Sequence, residues 1–145
     1  MTTTSDSSQG NVVPFIGRIL MATIFILSGL GKIGAPAATQ GYITAMGMPA
    51  PMLAFLGAVV VELGGGLLLL LGYRTKLVAA ALAIFSVVTA FIFHHNLADQ
   101  NQMIHFLKNF AMAGGLLQFV AYGAGRIALD NTAAARAEAG VAANA

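Results

Sequence analysis

The chain has 145 residues, 58% of them hydrophobic and 8% charged, where soluble globular chains run at roughly 45–50% and about 25%. Seven Lys and Arg against five Asp and Glu cannot cover the surface of a soluble domain, and they are scattered singly, which excludes a nucleic-acid footprint. Cysteine is absent, which excludes disulfides, thiolate metal sites and thiol redox couples; what remains is a small integral membrane protein.

Residues 1–11, MTTTSDSSQGN, are polar and predict a disordered tail. Four apolar segments follow, at about residues 14–33, 51–72, 77–95 and 103–122. Each is close to the ~20 residues that cross a hydrocarbon core of ~30 Å. The expectation is an all-α, four-helix transmembrane bundle over residues 12–130, ending in an alanine-rich flexible tail, residues 131–145. The first segment has no basic stretch before it and carries Arg18 and Lys32, so it reads as a span and not as a cleaved signal.

The loop 34–50 contains ATQGYITAM (38–46), bracketed by Pro36, Pro49 and Pro51, and predicts a short interfacial helix. The turn Gly72–Lys76 is short, so spans two and three are antiparallel neighbours. One side of the membrane receives Arg18, Arg74, Lys76, Arg126 and Arg136, the other Lys32 and Lys108. The excess of cations predicts that both termini are cytoplasmic, in a bacterial inner membrane.

Polar groups inside the spans carry the functional signal, because a charge at the bilayer centre costs about 2.5–3.5 kcal/mol on insertion scales and needs a partner or a wet cavity. Glu62 lies mid-span, too deep to reach either face. It is expected to be a proton-relay or ligand-binding carboxylate; a structural ion pair would also account for it. His105, Lys108 and Asn109 stand at i, i+3 and i+4 on one face of span four, and Lys108 is the expected partner of Glu62. In span one, Arg18 and Lys32 share a stripe with Phe25 and Gly29, facing the bundle interior. His94, His95 and His105 gather at one end of spans three and four, but their spacing fits no strong ligand pattern, and no metal site is expected.

Three stretches, RILMATIFILSGLGKIG (18–34), VELGGGLLLLLGYRTKLVA (61–79) and DQNQMIHFLKNFAMAGGLLQFVAYGAGRIALD (99–130), carry a resemblance to the DoxX family of small four-helix membrane proteins. The positions that match its pattern are Arg18, Lys32, Glu62, His105, Lys108 and Asn109. The resemblance implies a membrane component of an oxidoreductase system, such as a subunit of a thiosulfate–quinone oxidoreductase or of a redox-stress assembly. The expected ligand is then a quinone head group in an intramembrane polar pocket. Lys108 and His105 would donate to a carbonyl oxygen, Glu62 would tune Lys108 and carry protons, Asn109 would orient them, and Lys32 and Arg18 would set the field. No residue here stores electrons, so the electrons would come from an oxidoreductase partner protein. Two other readings stay open: a solute or proton transporter, which with four helices would need a homo-oligomer, and a non-catalytic scaffold in the lipid bilayer.

Overall fold

The structure is a computed structural model that describes residues 6–132. Helix α1 (Asp6–Gly34) is followed by the short α2 (Pro36–Ala45); then come α3 (Pro51–Val59), a π-helical turn (Val60–Gly64) and α4 (Gly65–Leu71), which run on as one rod. Helices α5 (Thr75–Phe93) and α6 (Gln100–Tyr122) complete the bundle. The protein is all-α with four long rods. Three of them, over Val12–Gly34, Pro51–Leu71 and Thr75–Phe93, are long and apolar enough to cross a membrane. The fourth, α6, has 23 residues and is made more polar by His105, Lys108, Asn109 and Gln118. Of the stretch expected as a tail, residues 6–11 continue α1 outward, and residues 1–5 lie outside the described residues, as do residues 133–145 of the expected C-terminal tail.

The rods are neighbours in chain order: α4 packs on α1 and α5, and α6 lies along the length of α5. The local sequence sets each boundary. Pro36 and Pro51 occupy the first turns of α2 and α3, where a missing N–H costs nothing. Gly72 ends α4 at φ 68°; its N–H reaches the Leu69 carbonyl and that of Tyr73 the Leu68 carbonyl, a Schellman closure that a left-handed residue makes possible. Asp99 caps α6 by accepting the Gln102 amide at 2.8 Å.

The two ends of the bundle differ. One, the turn end, holds residues 72–75 and 123–132; the other, the lid end, holds α2 and residues 94–99. The core occupies the turn-end half: Ala22 and Phe25 of α1, Leu69 of α4, Ala79 and Leu82 of α5, Leu116 and Phe119 of α6. In lipid a buried leucine gains no transfer energy, so association depends on close contact through small residues. Gly66 gives that contact against Ile26, where a Cβ would come within 2.9 Å, and Gly115 against Met21, within 2.6 Å. The lid-end half is not filled in this way.

Candidate functional site

Between α1, α3, α5 and α6, beneath α2, lies a cavity of about 710 Å³. Its walls are mostly apolar, from Ile24, Phe25, Val61, Phe85, Ile92 and Met112. Its polar lining is Ser28, Lys32, Thr39, Tyr42, Glu62, Ser86, Thr89, His94, Lys108 and Asn109. Helix α2 closes the lid end: the Tyr42 hydroxyl donates to the Phe93 carbonyl at 3.1 Å, and the two rings stack at 5.6 Å.

Glu62 sits in the π-helical turn. One extra residue per turn there re-aims the carboxylate, and such turns in otherwise regular helices recur at functional sites. Its partner is Lys32, with Nζ 2.9 Å from Oε1 and 2.8 Å from Oε2. Ser28 completes the group: its hydroxyl donates to Glu62 Oε1 at 3.1 Å and accepts from Lys32 Nζ at 2.9 Å. Gly29 makes this meeting possible, because α1 and the π turn approach until a Cβ on Gly29 would lie 2.7 Å from Leu63 Cγ.

The expected Glu62–Lys108 ion pair is therefore corrected to Glu62–Lys32. The reason is helix order: α6 packs on α5, the Glu62 segment packs on α1, and the cavity stands between them. Lys108 lines the opposite wall, its Nζ 3.0 Å from His105 Nδ1. His105 accepts that bond, which leaves its remaining proton on Nε2, and its ring stacks on His94 at 5.0 Å. The cavity is lined by His94 and not by His105, so the expected ligand contact from His105 is replaced by support of Lys108. The buried Asn109 donates Nδ2 to the His105 carbonyl at 2.9 Å, which ties the three residues of this face together.

Arg18 is not brought to the site. It faces the interior, as its stripe required, and is 1% exposed, but it stands fourteen residues from Lys32, about 21 Å along the helix at the opposite end. There its Nη2 donates to the Ile127 carbonyl. Beside it, Asp130 accepts the amides of Arg74 (2.6 Å) and Thr75 (2.9 Å), capping α5 from a distance. Its own amide reaches the Gly72 carbonyl at 2.9 Å. Burial would raise the Asp130 carboxyl; the amides of Thr75 and Arg74 and the Arg18 charge outweigh it and hold the group below its usual range.

Sequence reasoning missed the π turn, the Ser28 link and the lid contact of Tyr42. The Ser28 signal was available, since Ser28 and Lys32 stand at i and i+4 in SGLGK.

The family model described as DoxX matches residues 13–95 of this chain, a stretch that includes Ser28, Lys32, Tyr42 and Glu62 and ends before α6. Two relatives from Escherichia coli (strain K12) are similar over most of their length. The inner membrane protein YqjF is 41% identical over 115 residues, 79% of this chain and 87% of the relative. The inner membrane protein YphA is 36% identical over 124 residues, 82% of this chain and 89% of the relative. No solved structure matches the chain.

Proposed function

We propose that this chain, which belongs to the DoxX family, is an inner-membrane protein that holds a small amphipathic ligand in its lid-end cavity, with a quinone ring as head group, as the binding subunit of an oxidoreductase assembly. The observation that carries this reading is the cavity itself. About 710 Å³ of open space adjoins an ion pair whose carboxylate, Glu62, is buried in the middle of its rod, and sites for drug-sized ligands have volumes of about 300–1,000 Å³, apolar walls and a few convergent polar groups. A bundle held together only by charge pairs would close around them.

The lining fits a ring with carbonyl oxygens. Lys108 and Asn109 sit on one wall and the Ser28–Lys32–Glu62 group on the other, so the polar edge of a flat ring has donors while its face lies on Phe25, Phe85 and Ile92. When bound, the ring supplies two-electron redox chemistry. The chain's own residues orient it, exclude water through α2, and hold a proton at Glu62 or Lys32. The turn end, with Arg18, Arg74, Lys76 and Arg126, faces the cytoplasm in this reading, and the lid end faces outward. A paired carboxylate and ammonium at mid-membrane also suit a proton or solute transporter. The cap formed by α2 at one end and the solid core at the other favour holding over passage.

The test fills the cavity. Gly57 lines it, and a Cβ there meets nothing within 4 Å, so Gly57→Phe should fold normally while occupying the space. Decylubiquinone titrated into protein in phosphatidylcholine nanodiscs is expected to bind the wild type and to lose at least tenfold in affinity with Gly57→Phe. Equal binding to both, or no binding to the folded wild type, would remove the cavity as a quinone site.

A further inference from the structure

The polar groups of the cavity differ in how much of their bonding capacity is already used. Lys32 has three N–H donors, and three oxygens surround them: Ser28 Oγ at 2.9 Å, Glu62 Oε1 at 2.9 Å and Glu62 Oε2 at 2.8 Å. The Tyr42 hydroxyl proton is used on the Phe93 carbonyl, the His94 Nδ1 on Gln102, and one of the two Asn109 amide protons on the His105 carbonyl. The Ser28–Lys32–Glu62 group is neutral as a whole; within it Glu62 Oε2 is held by the charge of the ammonium and takes no hydrogen bond.

Lys108 is the charged group left without a charged partner. Its single partner is the neutral imidazole of His105 at 3.0 Å, so two of its three donors remain for something else. Among the described residues no carboxylate reaches it. Glu62 is held by Lys32, Asp99 caps α6 nine residues away, about 13 Å along the axis, and Asp130 is at the opposite end. The cavity therefore carries one cation in excess, on a lysine that lines it while remaining exposed, and an ammonium that meets lipid there without a counter-charge is costly.

We propose that the missing counter-charge comes from the ligand: the cavity takes an amphiphile with a singly charged oxyanion head, a fatty carboxylate or an acidic phenol, bound by Lys108 and backed by His105. This rests on the reading of the cavity as a ligand site and specifies the head group. The His105 acceptor fixes the direction of the ammonium, so its two remaining N–H groups point away from the imidazole, and a carboxylate or phenolate oxygen is the acceptor that gains most from them. The apolar walls take the body of the molecule. A neutral ring can share the space but leaves the charge uncompensated.

The experiment is calorimetric titration of the full chain in phosphatidylcholine nanodiscs, with protein-free nanodiscs as the blank. The probes are dodecanoate, an alkylated nitrophenol above its pKa, 1-dodecanol and decylubiquinone. Dodecanoate or the nitrophenolate is expected to bind at least tenfold more tightly than 1-dodecanol, and to lose at least tenfold with Lys108→Gln while 1-dodecanol is unchanged. The stronger of the two acids identifies which oxyanion the site prefers. Lys108→Arg should restore most of the affinity, which a merely structural role of Lys108 would not predict. If decylubiquinone and 1-dodecanol bind as tightly as the acids, and Lys108→Gln alters none of them, the oxyanion proposal fails and the ligand-site reading stands. If no probe binds protein shown to be folded by its thermal transition, both fail.

Discussion

The two halves of the bundle bury charge under the same constraint and reach opposite solutions. At the turn end, Arg18 is 1% exposed and enclosed by Gly72, Ile127 and the Asp130 cap, with Leu69, Leu82 and Leu116 filling the layer above it. At the lid end, Lys32 and Glu62 make a direct ion pair, but beside it lies a cavity with a second lysine on its far wall. The first cluster welds three chain segments and leaves no space. The second closes one contact between α1 and the π turn and leaves room. A buried charge in a membrane helix is therefore no sign of a site by itself; the space next to it separates a fastening from a pocket.

The largest effect should come from breaking the fastening. Gly72 has a left-handed φ of 68°, and a Cβ there would fall on the Arg18 guanidinium and lie 2.6 Å from the Ala128 Cβ. Gly72→Ala is expected to cost about 3–5 kcal/mol, the sum of a left-handed alanine and of a buried charge forced off its acceptor. The check is the thermal transition in detergent, with Gly57→Ala, on the open wall of the cavity, as the variant that leaves it unchanged. Equal transitions for the two variants would erase the distinction between the halves.

A smaller effect is expected at the ion pair beside the cavity. Glu62→Gln removes the countercharge of Lys32, but Lys32 is 26% exposed and can turn its ammonium toward the lid end. The expected cost is about 1–2 kcal/mol, below the 3–5 kcal/mol typical when one member of a fully enclosed pair is removed. Lys32→Met combined with Glu62→Gln should recover part of that loss, since no charge is then left without a partner. A loss as large as that of Gly72→Ala would make the pair a structural weld like the other one.

The sequence carried the gross architecture because hydropathy and length are local properties. The four spans, the short helix in the loop (expected at 38–46, found at Pro36–Ala45) and the tight turn at Gly72 follow from runs of apolar residues and from Pro and Gly positions. The inward stripe of Arg18 and Lys32 was legible for the same reason, since both lie on one helix and need only its period. Pairing between helices was not. Glu62 could have met Lys108 or Lys32; the choice depends on α6 lying against α5 and on the closeness of α1 at Gly29, neither of which the residues of one helix encode. The roles of Arg18 and Asp130 show the same limit, because a carboxylate 55 residues from the amide it caps leaves no local pattern. The π turn is a property of backbone register in a run of small and branched residues, and the GGG that follows Glu62 reads equally well as close packing.

The smallest effect tests the same contrast through pH. The Asp130 carboxyl is held below its ordinary 3.8 in the folded chain, so its contribution to stability is complete above 3.8 and is lost as pH falls through the lowered folded value. Asp130→Asn removes the carboxylate at every pH. The gap in transition temperature between wild type and Asp130→Asn should therefore be constant from pH 7 to about pH 5 and narrow below 3.8, as the wild-type side chain becomes neutral like asparagine. Asparagine keeps an acceptor for only one of the two amides, because Arg74 and Thr75 donate to different oxygens of Asp130 and an amide nitrogen cannot accept. A gap from that one lost cap bond, about 0.5–1.5 kcal/mol, remains when the charge is gone, and this is still the mildest of the three changes. The measurement is a pair of melting curves at each of several pH values. A gap that persists unchanged below pH 3 would show that the charge of Asp130 does not support the turn end, and the cap would then rest on hydrogen-bond geometry alone.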